Sequence, residues 1–183
     1  MSSLAHKLMT AEEFWQSPMN TKHSELVRGE VVEAMPPGGR HAEIAGAIMT
    51  LLRLWTKQGV GGFAGVEAGY MLTQEPDTLR APDVSYVRLQ RIPPSGVPEA
   101  FWHLAPDLAV EVISPSETAD EIRAKVHDLL AAGTPLVWAV YPRTREVIAH
   151  TADGLARTYG ENDVLEHPDV LPGFSCKVAE LFT

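Results

Sequence analysis

Pro106 to Lys125, PDLAVEVISPSETADEIRAK, is the stretch that decides the fold. Side chains alternate across a strand, so Leu108, Val110 and Val112 share one face while Asp107, Ala109, Glu111 and Ile113 share the other. A run that is apolar on both sides suits a strand covered on both faces, where an unpaired carboxylate costs several kcal/mol. Glu111 therefore needs a metal ion, a lysine or arginine partner, or a proton held at a raised pKa. The alternative is an edge strand from which Glu111 reaches solvent.

Downstream of this strand, Ser114 with Glu117 and Thr118 with Glu121 both have capping-box spacing, so a helix starts at one of them. Ile122, Val126, Leu129 and Leu130 form its buried stripe, and Gly133 supplies the C-terminal cap. Lys125 lies at the margin of that stripe, about 85° from its centre, where a long side chain can follow apolar surface back to the strand. A solvated lysine is the plain alternative. Leu136 to Tyr141 is a second apolar strand, closed by Pro142. Strand, helix and strand make a βαβ unit, which requires adjacent parallel strands and a right-handed crossover. Sites in such sheets favour strand ends.

Upstream, Arg80-Ala81-Pro82-Asp83-Val84-Ser85-Tyr86-Val87 places Asp83, Ser85 and Val87 on one face of a strand that Asp83 begins just after a proline. From His41 to about Lys57, the residues Ile44, Ala45, Ile48, Leu51, Leu52 and Trp55 fall within a helical stripe roughly 120° wide. His41 lies on that stripe and is the polar side chain of the helix best aimed inward, at a position where histidines are commonly structural. Gly59, Gly61 and Gly62 end the helix, and Phe63 to Thr73 reads as a strand passing into another through Gly65 and Gly69. Nearer the start, Thr10 and Glu13 cap a short helix anchored by Phe14 and Trp15 and stopped by Pro18. Glu25-Leu26-Val27 and Glu30-Val31-Val32-Glu33 flank Arg28-Gly29 as a hairpin. Pro93 to Ala105 is a loop with an aromatic plug, Phe101 and Trp102. Beyond Pro142, a second hairpin turns at Asp153-Gly154, and the tail from Pro172 to Phe182 reads as a strand or short helix. Asp163, Glu166, His167 and Asp169 read as surface loop.

The totals bound the function. A chain of 183 residues with 45% hydrophobic and 21% charged content fits one globular domain, and no apolar run nears the roughly 20 residues of a membrane span. The start, MSSLAHKLMTAEEFW, lacks signal-peptide character, so a soluble cytoplasmic protein is expected. The single Cys176 excludes an intrachain disulfide framework and a cysteine-rich zinc site. A net charge of −9 argues against broad charge-driven binding of nucleic acid. Arg80, Arg88, Arg91, Arg123 and Lys125 share the part of the chain around Glu111 and would focus positive charge there.

Asp83, Glu111 and Lys125 make chemical sense together. Two carboxylates and an intervening backbone carbonyl suit Mg²⁺, and a nearby ammonium stabilises charge developing on a phosphoryl group or orients a water. Pro82-Asp83, then Glu111-Val112-Ile113-Ser114, then Lys125 and Ala132-Gly133-Thr134-Pro135-Leu136-Val137-Trp138 resemble the PD-(D/E)XK nuclease superfamily, and within it the Uma-type restriction endonucleases. The likeness extends to Glu25 through Glu33, to His41 after the Pro-Gly tract, and to Leu171-Pro172-Gly173-Phe174.

The resemblance implies an α/β restriction-endonuclease-like core, a mixed sheet flanked by helices with an N-terminal hairpin. Residues 1–183 would form a single domain, with helix and hairpin over 1–36, nuclease core over 40–142, and C-terminal hairpin and tail over 143–183. It further implies Asp83, Glu111 and the Val112 carbonyl as metal ligands, Mg²⁺ or Mn²⁺ as cofactor, DNA as substrate, a homodimer, and no membrane partner. The superfamily's lysine, two residues after the acid, falls here on Ile113, and the resemblance passes its role to Lys125 on the next helix. His41 and Glu30 complete the expected catalytic set. The expected activity is Mg²⁺-dependent hydrolysis of DNA phosphodiester bonds. The alternative, which the negative charge favours, is a catalytically silent dimeric binding or scaffold module of the same fold.

Overall fold

A computed structural model describes residues 8–21, 23–33 and 35–183. Residues 1–7, which open the stretch read for signal-peptide character, lie outside the described residues. Helix α1 (Ala11–Trp15) carries the expected box, with Thr10 and Glu13 capping each other's backbone N–H. Strands β1 (Ser24–Val27) and β2 (Glu30–Glu33) pair antiparallel around Arg28 and Gly29. Both turn residues have positive φ, +52° and +78°, as a two-residue type I′ hairpin requires.

Helix α2 (Gly39–Trp55) runs into a π-helical turn, Thr56–Val60, before the glycines end it. Gly62 is required by two constraints: its φ is +97°, and a Cβ there would come within 2.6 Å of the Val87 carbonyl and the Tyr86 ring. Then follow β3 (Phe63–Val66), β4 (Tyr70–Thr73), β5 (Thr78–Arg80) and β6 (Val84–Val87). The stretch read as one strand passing into another divides between two sheets, and Glu67 at φ +49° marks the break.

The second half gives β7 (Leu108–Val112), α3 (Ala119–Ala131), β8 (Leu136–Tyr141), β9 (Glu146–Thr151), β10 (Ala156–Tyr159), β11 (Val164–Leu165) and β12 (Cys176–Lys177), closed by a 3₁₀ turn at Val178–Phe182. Of the two possible helix starts the second is used: Thr118 and Glu121 form the capping box of α3. At its other end Gly133 takes φ +98°, and Thr134 N–H donates to the Leu129 carbonyl while Gly133 N–H donates to that of Leu130, a Schellman ending.

A six-stranded sheet ordered β10-β9-β8-β7-β6-β3 forms the centre of the molecule, and β7 and β8 are its parallel pair. A four-stranded antiparallel sheet, β2-β1-β5-β4, lies beside it, and β11 pairs with β12. β7 is flanked on both sides, by β6 and β8, so Glu111 does not reach solvent from a sheet edge. The two faces of β7 divide as its alternation requires. Leu108, Val110 and Val112 pack with Ile44, Ile48 and Leu52 of α2, while Ala109 packs with Val126 and Leu129 of α3. Each fully buried aliphatic side chain in these layers contributes roughly 1.5–3 kcal/mol by its removal from water.

A smaller core under the four-stranded sheet joins Phe14 to Leu26, Met71, Leu79 and Phe101. His167 differs from its surface-loop reading. It is half-buried, with its ring 6.0 Å from that of Trp138 and 5.8 Å from that of Tyr159, because β11 and β12 fold this segment against β8 and β10. No helix among the described residues is long and apolar enough to cross a membrane.

Candidate active site

The register of β6 against β7 brings two distant acids together. Val84 stands opposite Val110 as the last pair of the ladder, and Asp83 and Glu111 are the next residues along the two chains. Proline at the start of β6 ends the ladder, and the Asp83 carboxylate takes over: its Oδ2 accepts from Val112 N–H at 2.7 Å. The N–H and C=O of one strand residue point to the same side, so the Val112 carbonyl also leaves β7 on the side of Asp83.

Two helices complete the site from opposite faces of the sheet. His41, in the first turn of α2, places Nε2 3.1 Å from Asp83 Oδ2. This hydrogen bond raises the imidazole pKa above its ordinary 6.5, against the lowering effect of partial burial. From α3, Lys125 brings Nζ to 3.3 Å from Glu111 Oε2 and 2.8 Å from Glu117 Oε1. The other carboxylate oxygen of Glu117 accepts from Ser114 N–H at 2.7 Å, which fixes Glu117 as the perch of the ammonium.

Glu111 is the strained group of the set. Its side chain is only 7% exposed, and burial pushes its carboxyl well above the usual range, an effect the Lys125 charge opposes and the Asp83 charge reinforces. Burial lowers the Lys125 pKa, but the Glu111 charge and the hydrogen bond to Glu117 outweigh it and the net direction is upward. Lys125 therefore stays an ammonium, while Glu111 sits closer to the neutral form than an ordinary glutamate.

Asp83, Glu111, Lys125 and His41 line one cleft of about 670 Å³. Glu30 is not brought to it. It lies at the turn end of the hairpin opposite Val27, exposed to water and outside the cleft lining. Two other hairpin glutamates, Glu25 and Glu33, line the cleft; Glu25 is fixed there, its Oε1 accepting from Ala81 N–H at 2.9 Å and its Oε2 pairing with Arg80 at 2.7 Å. Arg80 also binds Asp128 at 2.6 Å, so it is a structural tie between hairpin, β5 and α3. Arg88 and Arg91 do not focus charge on the cleft either: both pair with Asp107, near the opposite end of β7. Glu25 and Glu117 were missed because isolated glutamates in a hairpin and a turn carry no periodic signal. Only the Ser114 and Glu117 cap spacing pointed at the second.

The donor set fits a small hard cation. Among the described residues Asp83 Oδ1 and Glu111 Oε1 have no hydrogen-bond partner, and with the Val112 carbonyl they make an all-oxygen set with room for water ligands. No group of three or more His, Cys, Asp or Glu side chains among the described residues converges as a metal cluster, so the protein side chains alone do not close a coordination shell.

A family model described as "Uma2: Putative restriction endonuclease" matches residues 11–179. The chain belongs to the Uma2 family. A crystal structure at 1.96 Å of "a putative nuclease belonging to DUF820 from Anabaena variabilis ATCC 29413" is 21% identical to this Uma2 chain. The match covers 95% of this chain and 97% of that one with a TM-score of 0.83, a likeness that establishes the fold. Among curated proteins none matches. Family and architecture together support a nuclease role for this Uma2 member.

Proposed function

We propose that this chain is a divalent-cation-dependent endonuclease that hydrolyses DNA phosphodiester bonds, with its centre at Asp83, Glu111 and Lys125. The observation that carries the reading is Asp83 held on the Val112 N–H, next to Glu111 at the end of β7, with a charged lysine on the buried acid. Asp83, Glu111 and the Val112 carbonyl would hold Mg²⁺ or Mn²⁺, which when bound supplies a Lewis acid and an activated water.

The chain's own groups prepare for this chemistry. His41 and Val112 N–H hold the Asp83 carboxylate in one orientation. Lys125, steadied by Glu117, offers a fixed positive charge to the extra negative charge that develops on the phosphoryl oxygens, in a recess where such a charge acts at reduced dielectric. His41, whose pKa the hydrogen bond to Asp83 raises, stands at the same cleft as a proton donor for the departing oxygen. Cutting both strands of a duplex calls for a two-fold dimer, which belongs to the same proposal.

The test is cleavage of plasmid DNA in Mg²⁺ and in Mn²⁺. The wild type should nick or linearise it and Asp83→Asn, Glu111→Gln and Lys125→Met should not; equal cleavage by Glu111→Gln would reject the assignment. One observation favours the silent scaffold instead: the described carboxylates lining the cleft, Glu25, Glu67, Asp83, Glu111, Glu117 and Glu121 among them, outnumber Arg80 and Lys125. If no divalent ion supports cleavage and none raises the Tm through Asp83 and Glu111, that second reading replaces the first.

A further inference from the structure

A polynucleotide is held chiefly through its phosphates, which need cations not already neutralised. Inside the cleft Arg80 is bound by Glu25 and Asp128, and Lys125 by Glu111 and Glu117. Arg80 is tied up in that network, and Lys125 is committed to the reacting phosphoryl group, so neither is left for a flanking phosphate. The cleft does not end at these residues, however. Ser114 lines it and also lines a second groove, of about 420 Å³, built from the ends of β7 and β8 and the turn after β8.

Half-buried Tyr141 and Pro142 and exposed Pro115 give this groove its apolar lining, and exposed Arg143 and Thr144 line it beside them. Arg143 is exposed and has no hydrogen bond or ion pair among the described residues. Its neighbour Arg145, by contrast, is engaged by Glu161 and the Phe182 carbonyl. A free guanidinium beside half-buried aromatic and proline surface, continuous with the reactive cleft through one serine, is a place for a phosphate with its sugar and base.

Resting on the nuclease reading of the cleft, we infer that the nucleic-acid strand cut there continues over Ser114 into the second groove, where Arg143 binds a flanking phosphate and Tyr141 with Pro115 and Pro142 carries the adjoining nucleotide. Arg143 is then the residue that holds the substrate in register with Asp83 and Glu111. A planar guanidinium suits this task because its paired N–H groups match two phosphate oxygens at once.

Binding of a fluorescein-labelled single-stranded oligonucleotide to the full chain carrying Glu111→Gln, followed by anisotropy over a salt series, tests the inference. Adding Arg143→Glu should weaken binding about tenfold or more at low salt and flatten the slope of log K against log salt by about 0.7, the value of one phosphate on a single strand. Arg157→Glu serves as the control for net charge, since Arg157 lies on the edge strand β10 against Tyr159. It should change both quantities much less. Equal weakening by the two variants, or no binding by the parent at low salt, would overturn the inference. Wild-type cleavage assays run alongside separate the two ideas. Binding that depends on Arg143 without any cleavage leaves the strand path standing and removes the nuclease reading. Cleavage whose KM and salt slope ignore Arg143→Glu does the reverse.

Discussion

Replacing Glu111 by glutamine should stabilise the protein, and by an amount that grows with pH. Burial raises the folded-state pKa of this carboxyl from 4.5 to about 8, with Lys125 opposing the shift. A group whose folded pKa is raised contributes stability that is complete below the unfolded value and is lost as pH rises through the folded one. Wild-type stability therefore declines between about pH 4.5 and pH 8 on account of Glu111, at up to about 1.4 kcal/mol per pH unit. Glutamine cannot titrate, and Lys125 keeps Glu117 as a partner in the variant.

From about pH 5 to about pH 8 the upper bound on the gain is about 4 kcal/mol. Residual contact of the side chain with water brings the expected gain to roughly 2 kcal/mol at pH 8, against nearly none at pH 5. For a chain of this length that is a rise in Tm of roughly 4–8 °C. Thermal unfolding of both proteins across the pH range reads it directly. A Tm difference that is flat in pH, or a variant less stable than wild type at pH 8, would refute the reasoning that Glu111 is held in place at the expense of stability.

Other outcomes follow from the same geometry. Mn²⁺ must displace whatever proton Glu111 retains, so calorimetry in buffers of different ionisation enthalpy should show proton release, with affinity rising up to about tenfold per pH unit below about pH 8. Glu111→Gln should abolish the release. His41 should titrate above 6.5 by NMR, and Asp83→Asn should lower it, since the hydrogen bond and charge of Asp83 are the main raising influences and burial, the main lowering one, stays; the stability due to this pair should be complete below pH 6.5 and fade as pH rises through the folded His41 value. Arg80→Met strands Glu25 and Asp128 without their shared cation and should cost about 3 kcal/mol or more in urea unfolding, as losing one partner of a largely buried ion network does. An unchanged midpoint would show Arg80 to be dispensable.

Much of the centre was legible because it rests on strand and helix periodicity. The alternation of Leu108, Val110 and Val112 against Ala109 and Glu111 assigned each residue to the face it occupies, and the wheel position of Lys125 allowed the reach to Glu111 that is seen at 3.3 Å. Asp83 was grouped with Glu111 by chemistry and resemblance, not by periodicity, because what brings them near each other is the register of β6 and β7, which a single sequence does not encode locally. The same limit explains Glu30. Glu25 and Glu30 lie on the same face of one hairpin, and only the packing of β1 beside β5 decides that Glu25 meets Arg80 and Ala81 while Glu30 stays at the turn. Glu117 was read only as a possible cap partner of Ser114, because its hold on Lys125 is set by a turn that aims one oxygen at Ser114 N–H and the other at the ammonium. The division of Phe63 to Thr73 between two sheets turns on a positive φ at Glu67, a residue type that gives no hint of one.

The most direct measurement is anomalous diffraction from a crystal of the protein soaked in Mn²⁺. One Mn²⁺ in contact with the carboxylates of both Asp83 and Glu111 is the expected result, lost in Glu111→Gln. No anomalous density at the cleft, or an ion bound elsewhere with Lys125 still on Glu111, would contradict the claim that these two acids form a metal-dependent catalytic centre.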